Sequence, residues 1–124
     1  MRSMLLAILL ASPVLLHAHQ AAAQDATAGQ AVFKSQCSVC HSVTPGRTLT
    51  GPSLAGIVGR KAGSVEGFHY SAANKASGVT WTAAELDTYL TNPKGVIPGT
   101  TMTYPGLKDA TQRANLIAYL STLH

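Results

Sequence analysis

The alternation of apolar and polar positions divides the 124-residue chain into an apolar leader, three amphipathic stretches and two polar, turn-rich segments. Gly29, Val32 and Phe33 recur at spacings of three and four behind Asp25, whose carboxylate can accept the unpaired amides of a helix start. This predicts a first helix that ends at a pair of cysteines. Thr82-Ala83-Ala84-Glu85 has the form of a capping box, followed by Leu86, Tyr89 and Leu90 at helical spacing until Asn92-Pro93. A second helix is therefore expected over about residues 82–91. Asp109 with Gln112 three positions on forms another cap, and Leu116, Tyr119, Leu120 and Leu123 make an apolar stripe that carries a last helix to the C-terminus.

Between these stretches the pattern dissolves. From Ser42 to about Tyr70 the chain is rich in Gly, Pro, Ser and Thr, with Pro45-Gly46 and Gly51-Pro52 as turn signals and no sustained period. Lys94 to Leu107, with Pro98-Gly99 and Pro105-Gly106, reads as another loop. No segment alternates long enough to pair into a sheet, so the domain is expected to be all-α. A long loop inside a small domain is reasonable only if something lies beneath it.

The leader changes how much of the apolar content belongs to the folded protein. Met1-Arg2 precedes the apolar run from Leu5 to Leu16 and then Ala21-Ala22-Ala23, the order of a secretory signal peptide. The run is too short for a membrane span, so residues 1–23 are expected to be cleaved, leaving residues 24–124 as one domain exported to the periplasm. A retained N-terminal anchor is the alternative. An apolar content of 46% beside 11% charged residues excludes a disordered chain. The net charge of +4 falls by one with Arg2, and no basic run or aromatic ladder is present, so nucleic acid is not an expected partner.

Chemistry concentrates in Cys37-Ser38-Val39-Cys40-His41, which holds both cysteines of the chain. No thiol remains for a structural disulfide, and an exported domain of this size without one needs another source of buried apolar surface. Cys-x-x-Cys-His is the haem attachment signature: each thiol can add to one haem vinyl group, leaving the adjacent imidazole, here His41, beneath the iron. Two other uses of the motif stay open. A redox dithiol would normally begin a helix in a βαβ fold, and a zinc site would draw on Cys37, Cys40, His41 and His69 or His124.

Met102 is the single methionine left after the leader, and it lies in a loop, off any helix stripe. A thioether is a soft iron ligand. Coordination opposite His41 would fill all six iron positions and favour the ferrous state, which suits electron transfer. Methionine as a mere gap filler is the plainer reading, and His69, His124 and Lys94 are rival sixth ligands.

From Gly29 to Tyr119 the sequence resembles the small soluble class I cytochromes c of mitochondria and the bacterial periplasm. The resemblance rests on Cys37 to His41, Gly51-Pro52-Ser53-Leu54, Gly59-Arg60-Lys61, Phe68-His69-Tyr70, Asn74-Lys75, Trp81, Tyr89, Asn92-Pro93, Ile97 to Met102 and Leu116 to Leu120. It implies a class I fold, with the N- and C-terminal helices packed together around one covalent haem c and long loops over it. It also implies a soluble one-electron carrier, not an enzyme, with His41 and Met102 as axial iron ligands and Cys37 and Cys40 as the haem attachment. The Pro52 carbonyl would then accept the other ring N–H of His41. Tyr89 would point its hydroxyl at the methionine sulfur. Trp81, Tyr70, Arg60 and Thr100 would hold the propionates, with Asn74 beside them in the haem packing and hydrogen bonding. Gly29 and Phe33 would meet the last helix near Tyr119.

The partners implied are redox proteins of a respiratory chain: a membrane quinol–cytochrome c reductase, a terminal oxidase, another reductase or a dehydrogenase, met by a monomeric carrier. A haem peroxidase or gas-binding protein is the alternative if Met102 does not ligate iron, and a dithiol oxidoreductase is a remoter one. Gln36, Leu49, Gly95 and Thr101 stand where the family commonly has lysines, while Lys94 and Lys108 remain. Weaker electrostatic steering, or a different partner, is expected. The loop from His41 to Pro52 is one residue shorter than in the familiar animal protein.

Overall fold

The computed structural model describes residues 24–124; the expected leader, residues 1–23, lies outside them. The described chain is helical. α1 (Ala26–Gln36) starts where Asp25 accepts the amides of Thr27 at 2.9 Å and Ala28 at 3.1 Å. α5 (Ala110–Leu120) starts where Asp109 accepts the amide of Gln112. These helices pack against each other through Gly29 and Phe33 on one side and the α5 stripe on the other, with the Phe33 and Tyr119 rings 5.7 Å apart. The apolar stripe extends into α5's last turn, but Leu123 lies past the helix end and is only partly buried.

Three shorter helices lie between. α2 (Ala72–Ala76) is capped by the Ser71 hydroxyl on Asn74, and its five residues are too few to show as a period. α3 (Ala83–Thr91) uses half of its expected capping box: Thr82 accepts the Glu85 amide at 3.1 Å, whereas the Thr82 amide bonds the Thr80 carbonyl. α4 (Pro93–Val96) corrects the expectation of a loop from Lys94 onward. Asn92 ends α3 and its side chain caps α4, and a proline is well tolerated at a first helical position because its missing N–H has no helical acceptor there.

Residues 42–70 form the expected loop, pinned by short backbone bonds instead of a sheet. Among the described residues the β-structure is one isolated bridge, Lys61 with Thr80. Beside it the Trp81 amide donates to the Arg60 carbonyl at 2.8 Å, which sets these two residues next to each other. Phe33, Leu86, Leu90, Ile97, Leu116, Ile117 and Leu120 form the buried core joining α1, α3 and α5. Each such side chain contributes about 1.5–3 kcal/mol relative to exposure. Arg113 is also buried, on α5 but outside the apolar stripe, and pairs with Asp87 of α3.

Candidate functional site

The end of α1 places the cysteine motif at the mouth of a cavity. Cys37 is the C-cap of α1, and the amides of Cys40 and His41 both bond its carbonyl, so the chain turns tightly and carries His41 inward. The His41 Nδ1–H donates to the Pro52 carbonyl at 2.8 Å, leaving Nε2 as the ring nitrogen with a free lone pair. Gly51 is packed against the same ring: a Cβ there would lie 2.3 Å from His41 Cε1. Burial, first, and the charge of Arg60 hold the His41 imidazolium disfavoured, against the Pro52 bond that favours it. The ring is kept neutral and available as a donor.

The cavity is lined by Cys40, His41, Pro52, Arg60, Tyr70, Asn74, Trp81, Tyr89, Thr100 and Met102, so every residue expected at the site except Cys37 borders it. Cys37 is partly buried against the core. Its thiol is pushed up to about 11, by burial first and by Cys40 second. That is the reverse of what a nucleophilic dithiol requires. The zinc alternative lacks its donors: among the described residues no three His, Cys, Asp or Glu side chains are placed to hold a metal ion.

Met102 reaches the cavity from the loop after α4. Its amide bonds the Thr100 hydroxyl at 3.3 Å, and the Tyr89 hydroxyl approaches its sulfur at 3.9 Å. Burial raises the Tyr89 phenol above its ordinary range, partly offset by its bond to Thr100, so it remains a neutral donor. Trp81 is buried, with its ring 4.6 Å from that of Tyr89. His69, His124 and Lys94 are all exposed and do not border the cavity.

Two expected roles look different in detail. The Arg60 guanidinium donates to the Ala55 carbonyl at 3.0 Å and to the Ser53 carbonyl at 2.9 Å, so it also braces the loop that carries Pro52. The Tyr70 hydroxyl accepts the Val65 amide at 3.1 Å and its ring meets Phe68 edge-on. Gly51, Ile57 and Phe68 belong to the lining as well. Their sequence signal was faint, since a turn glycine, an isolated isoleucine and a loop phenylalanine show their roles only when the loop closes over the cavity.

The residues fit a covalently held haem. The donor set offers two thiols, a neutral imidazole nitrogen and a thioether sulfur, and the surroundings combine apolar walls with one cation. Asn74 has a buried side-chain oxygen with no hydrogen-bond partner among the described residues. Such an atom in a native fold points to a partner that the polypeptide does not itself supply.

The comparisons with known proteins agree with this chemistry. A family model described as cytochrome c matches residues 26–124. The chain is 54% identical over 96 residues to cytochrome c type-1 of Ascaris suum, spanning 77% of this chain and 86% of that protein. It is 52% identical over 101 residues to cytochrome c2 of Blastochloris viridis, spanning 81% and 79%. The solved structure of cytochrome cH from Methylobacterium extorquens superposes with a TM-score of 0.74 at 42% identity, covering 79% of this chain and 98% of that one.

Proposed function

The chain belongs to the cytochrome c family and carries electrons on one covalently attached haem c, and from that premise we propose how its own residues hold and tune the group. It is an electron-transfer protein, not an enzyme. When bound, the haem iron supplies a reversible one-electron couple. Cys37 and Cys40 fit the attachment motif and anchor it through thioether bonds. His41 is the proximal ligand through Nε2, fixed in tautomer and orientation by Pro52. Met102 is the sixth ligand. If His41 and Met102 both hold the iron, peroxide and diatomic gases would find no open position, which would separate a carrier from a peroxidase or gas sensor.

The observation that supports this reading best is that His41 and Met102 border one cavity, each with a side-chain hydrogen bond of its own, to Pro52 and from Tyr89. Arg60, Trp81, Tyr70, Thr100 and Asn74 line the same cavity and would hold the polar part of the group, where a cation and hydrogen-bond donors would offset the burial of the propionates. Residues 1–23 direct export to the periplasm and are removed. There the carrier moves electrons between a membrane quinol–cytochrome c reductase and a terminal oxidase or reductase of a respiratory chain.

Absorption of the ferric protein tests the ligand set. A far-red sulfur-to-iron band is expected in the native protein and lost in Met102→Ala; its absence from the native protein overturns Met102 as ligand. Intact mass of the exported protein tests the leader, with a chain beginning at Gln24 plus one haem expected.

A further inference from the structure

The loop that presents Met102, residues 97–107, has its closest-packed backbone anchors at its ends, with one backbone bond from Thr100 to Ile97 at 3.0 Å and one side-chain tie from Tyr104 to Gln36 of α1 at 3.2 Å between them. At its start the Ile97 amide bonds the Pro93 carbonyl at 2.9 Å and the side chain is buried. At its finish the Leu107 amide bonds the Leu90 carbonyl at 2.7 Å, and Gly106 lies so close to α3 that a Cβ would stand 2.4 Å from the Thr91 carbonyl oxygen. The carbonyls of Leu107 and Lys108 are both taken by one group, Nη1 of Arg113, at 2.9 and 3.2 Å. Between these anchors Met102 is steadied by longer side-chain bonds, to Thr100 at 3.3 Å and from Tyr89 at 3.9 Å.

Arg113 in turn depends on Asp87. Its Nε donates to the Asp87 carboxylate at 2.7 Å, and the guanidinium side chain is 11% exposed while Asp87 is 50% exposed. This is the one ion pair among the described residues, and it joins α5, α3 and the loop end at a single point. A buried guanidinium stripped of its counter-charge is costly, because desolvation is no longer offset by the carboxylate. It does better turned toward water, and in turning it releases the Leu107 and Lys108 carbonyls. Neither Asp87 nor Arg113 borders the cavity, so an effect on Met102 passes through the elements they join, the loop end held by Arg113 and α3, which also carries Tyr89.

We propose that Asp87 and Arg113 form a clasp that positions Met102, setting how often the 97–107 loop opens and lets the sulfur leave its place. The clasp rests on the reading of Met102 as an iron ligand. Asp87 is a positioning residue whose charge holds Arg113 on the loop end.

Imidazole added to the ferric holoprotein reads the loop directly, since it can bind iron only where Met102 has withdrawn. Its apparent affinity scales with the open fraction. Relative to the parent protein, Asp87→Asn raises that affinity roughly tenfold, and Asp87→Glu, which restores the carboxylate, returns it to within about twofold. Asp25→Ala is the control for a structural effect: it removes the α1 cap and lowers the guanidinium unfolding midpoint without changing imidazole affinity. An Asp87→Asn affinity equal to the parent's overturns the clasp, as does an equal rise in Asp25→Ala. A parent protein without the sulfur-to-iron band overturns the Met102 reading, and the clasp falls with it.

Discussion

Gly29 meets Asn115 so closely that a Cβ on the glycine would stand 1.8 Å from the Asn115 carbonyl oxygen and 2.9 Å from Tyr119 Cβ. The obstacle is backbone, which cannot rotate away. Gly29→Ala would therefore separate α1 from α5. Overpacking costs about 2–3 kcal/mol here, more than the ~1 kcal/mol that alanine adds to helix propensity. A lower guanidinium unfolding midpoint with an unchanged absorption spectrum is expected; an equal or higher midpoint would refute this view of the contact.

Gly51 controls the proximal side of the site in the same manner. A Cβ would lie within 2.9 Å of three His41 ring atoms, so Gly51→Ala must push the imidazole off its 2.8 Å bond to Pro52. The expected outcome is a reduced yield of red holoprotein and a loss of about 2 kcal/mol of stability in what does form. Full yield at parental stability would show that the ring has room to move.

Tyr89 is expected to tune the potential if Met102 ligates iron. A hydroxyl donating to the Met102 sulfur draws electron density from it and disfavours ferric iron, so Tyr89→Phe lowers the reduction potential. A hydrogen bond of ordinary strength corresponds to about 20–60 mV for one electron. Equilibrium redox titration checks this, and a rise in potential would reverse the assigned sign.

Tyr104 supplies a test at high pH. Its hydroxyl donates to Gln36 at 3.2 Å, and its pKa is raised above 10.0 by burial first and by Cys37 second. Once Cys37 is a thioether, burial alone remains. The unfolded chain then gives up this proton at lower pH than the folded one, so the stability linked to Tyr104 is present below pH 10 and lost as pH rises through the folded value. Unfolding midpoints of the parent protein should fall across that window more steeply than those of Tyr104→Phe.

The docking face should respond weakly to salt. Gln36, Leu49, Gly95 and Thr101 are exposed where lysines are common in the family, and Val39, between the two cysteines, is 82% exposed. Raising ionic strength from ~10 to ~200 mM should change the bimolecular electron-transfer rate with a purified oxidase less than about threefold, since little steering is left to screen. A steep decline would point to a charged docking surface made by other residues.

Much of this was legible in the chain itself. Asp25, Thr82 and Asp109 cap the three helices their spacing announced, because capping and amphipathic periodicity are local properties. The cysteine motif carried its haem-attachment signature for the same reason, since it lies within five residues, although a dithiol and a zinc site stayed open until the fold was seen. α2 and α4 were not legible, being too short to establish a period, and α4 begins at a proline that looked like a stop.

By itself, then, the amino-acid order determined an all-α domain, a haem attachment site and a lone loop methionine suited to iron. The family resemblance already paired Pro52 with His41 and Tyr89 with Met102, and the tertiary structure brings both pairs together; it alone decided that Gly51 lies against the imidazole and that Arg113 meets Asp87 beneath the loop end. Those relations join residues eleven or more positions apart, except the His41–Gly51 contact at ten, across loops without periodicity. Their partners are set by how loops close over the cavity and how α3 packs on α5, a matter of packing that local patterns do not encode.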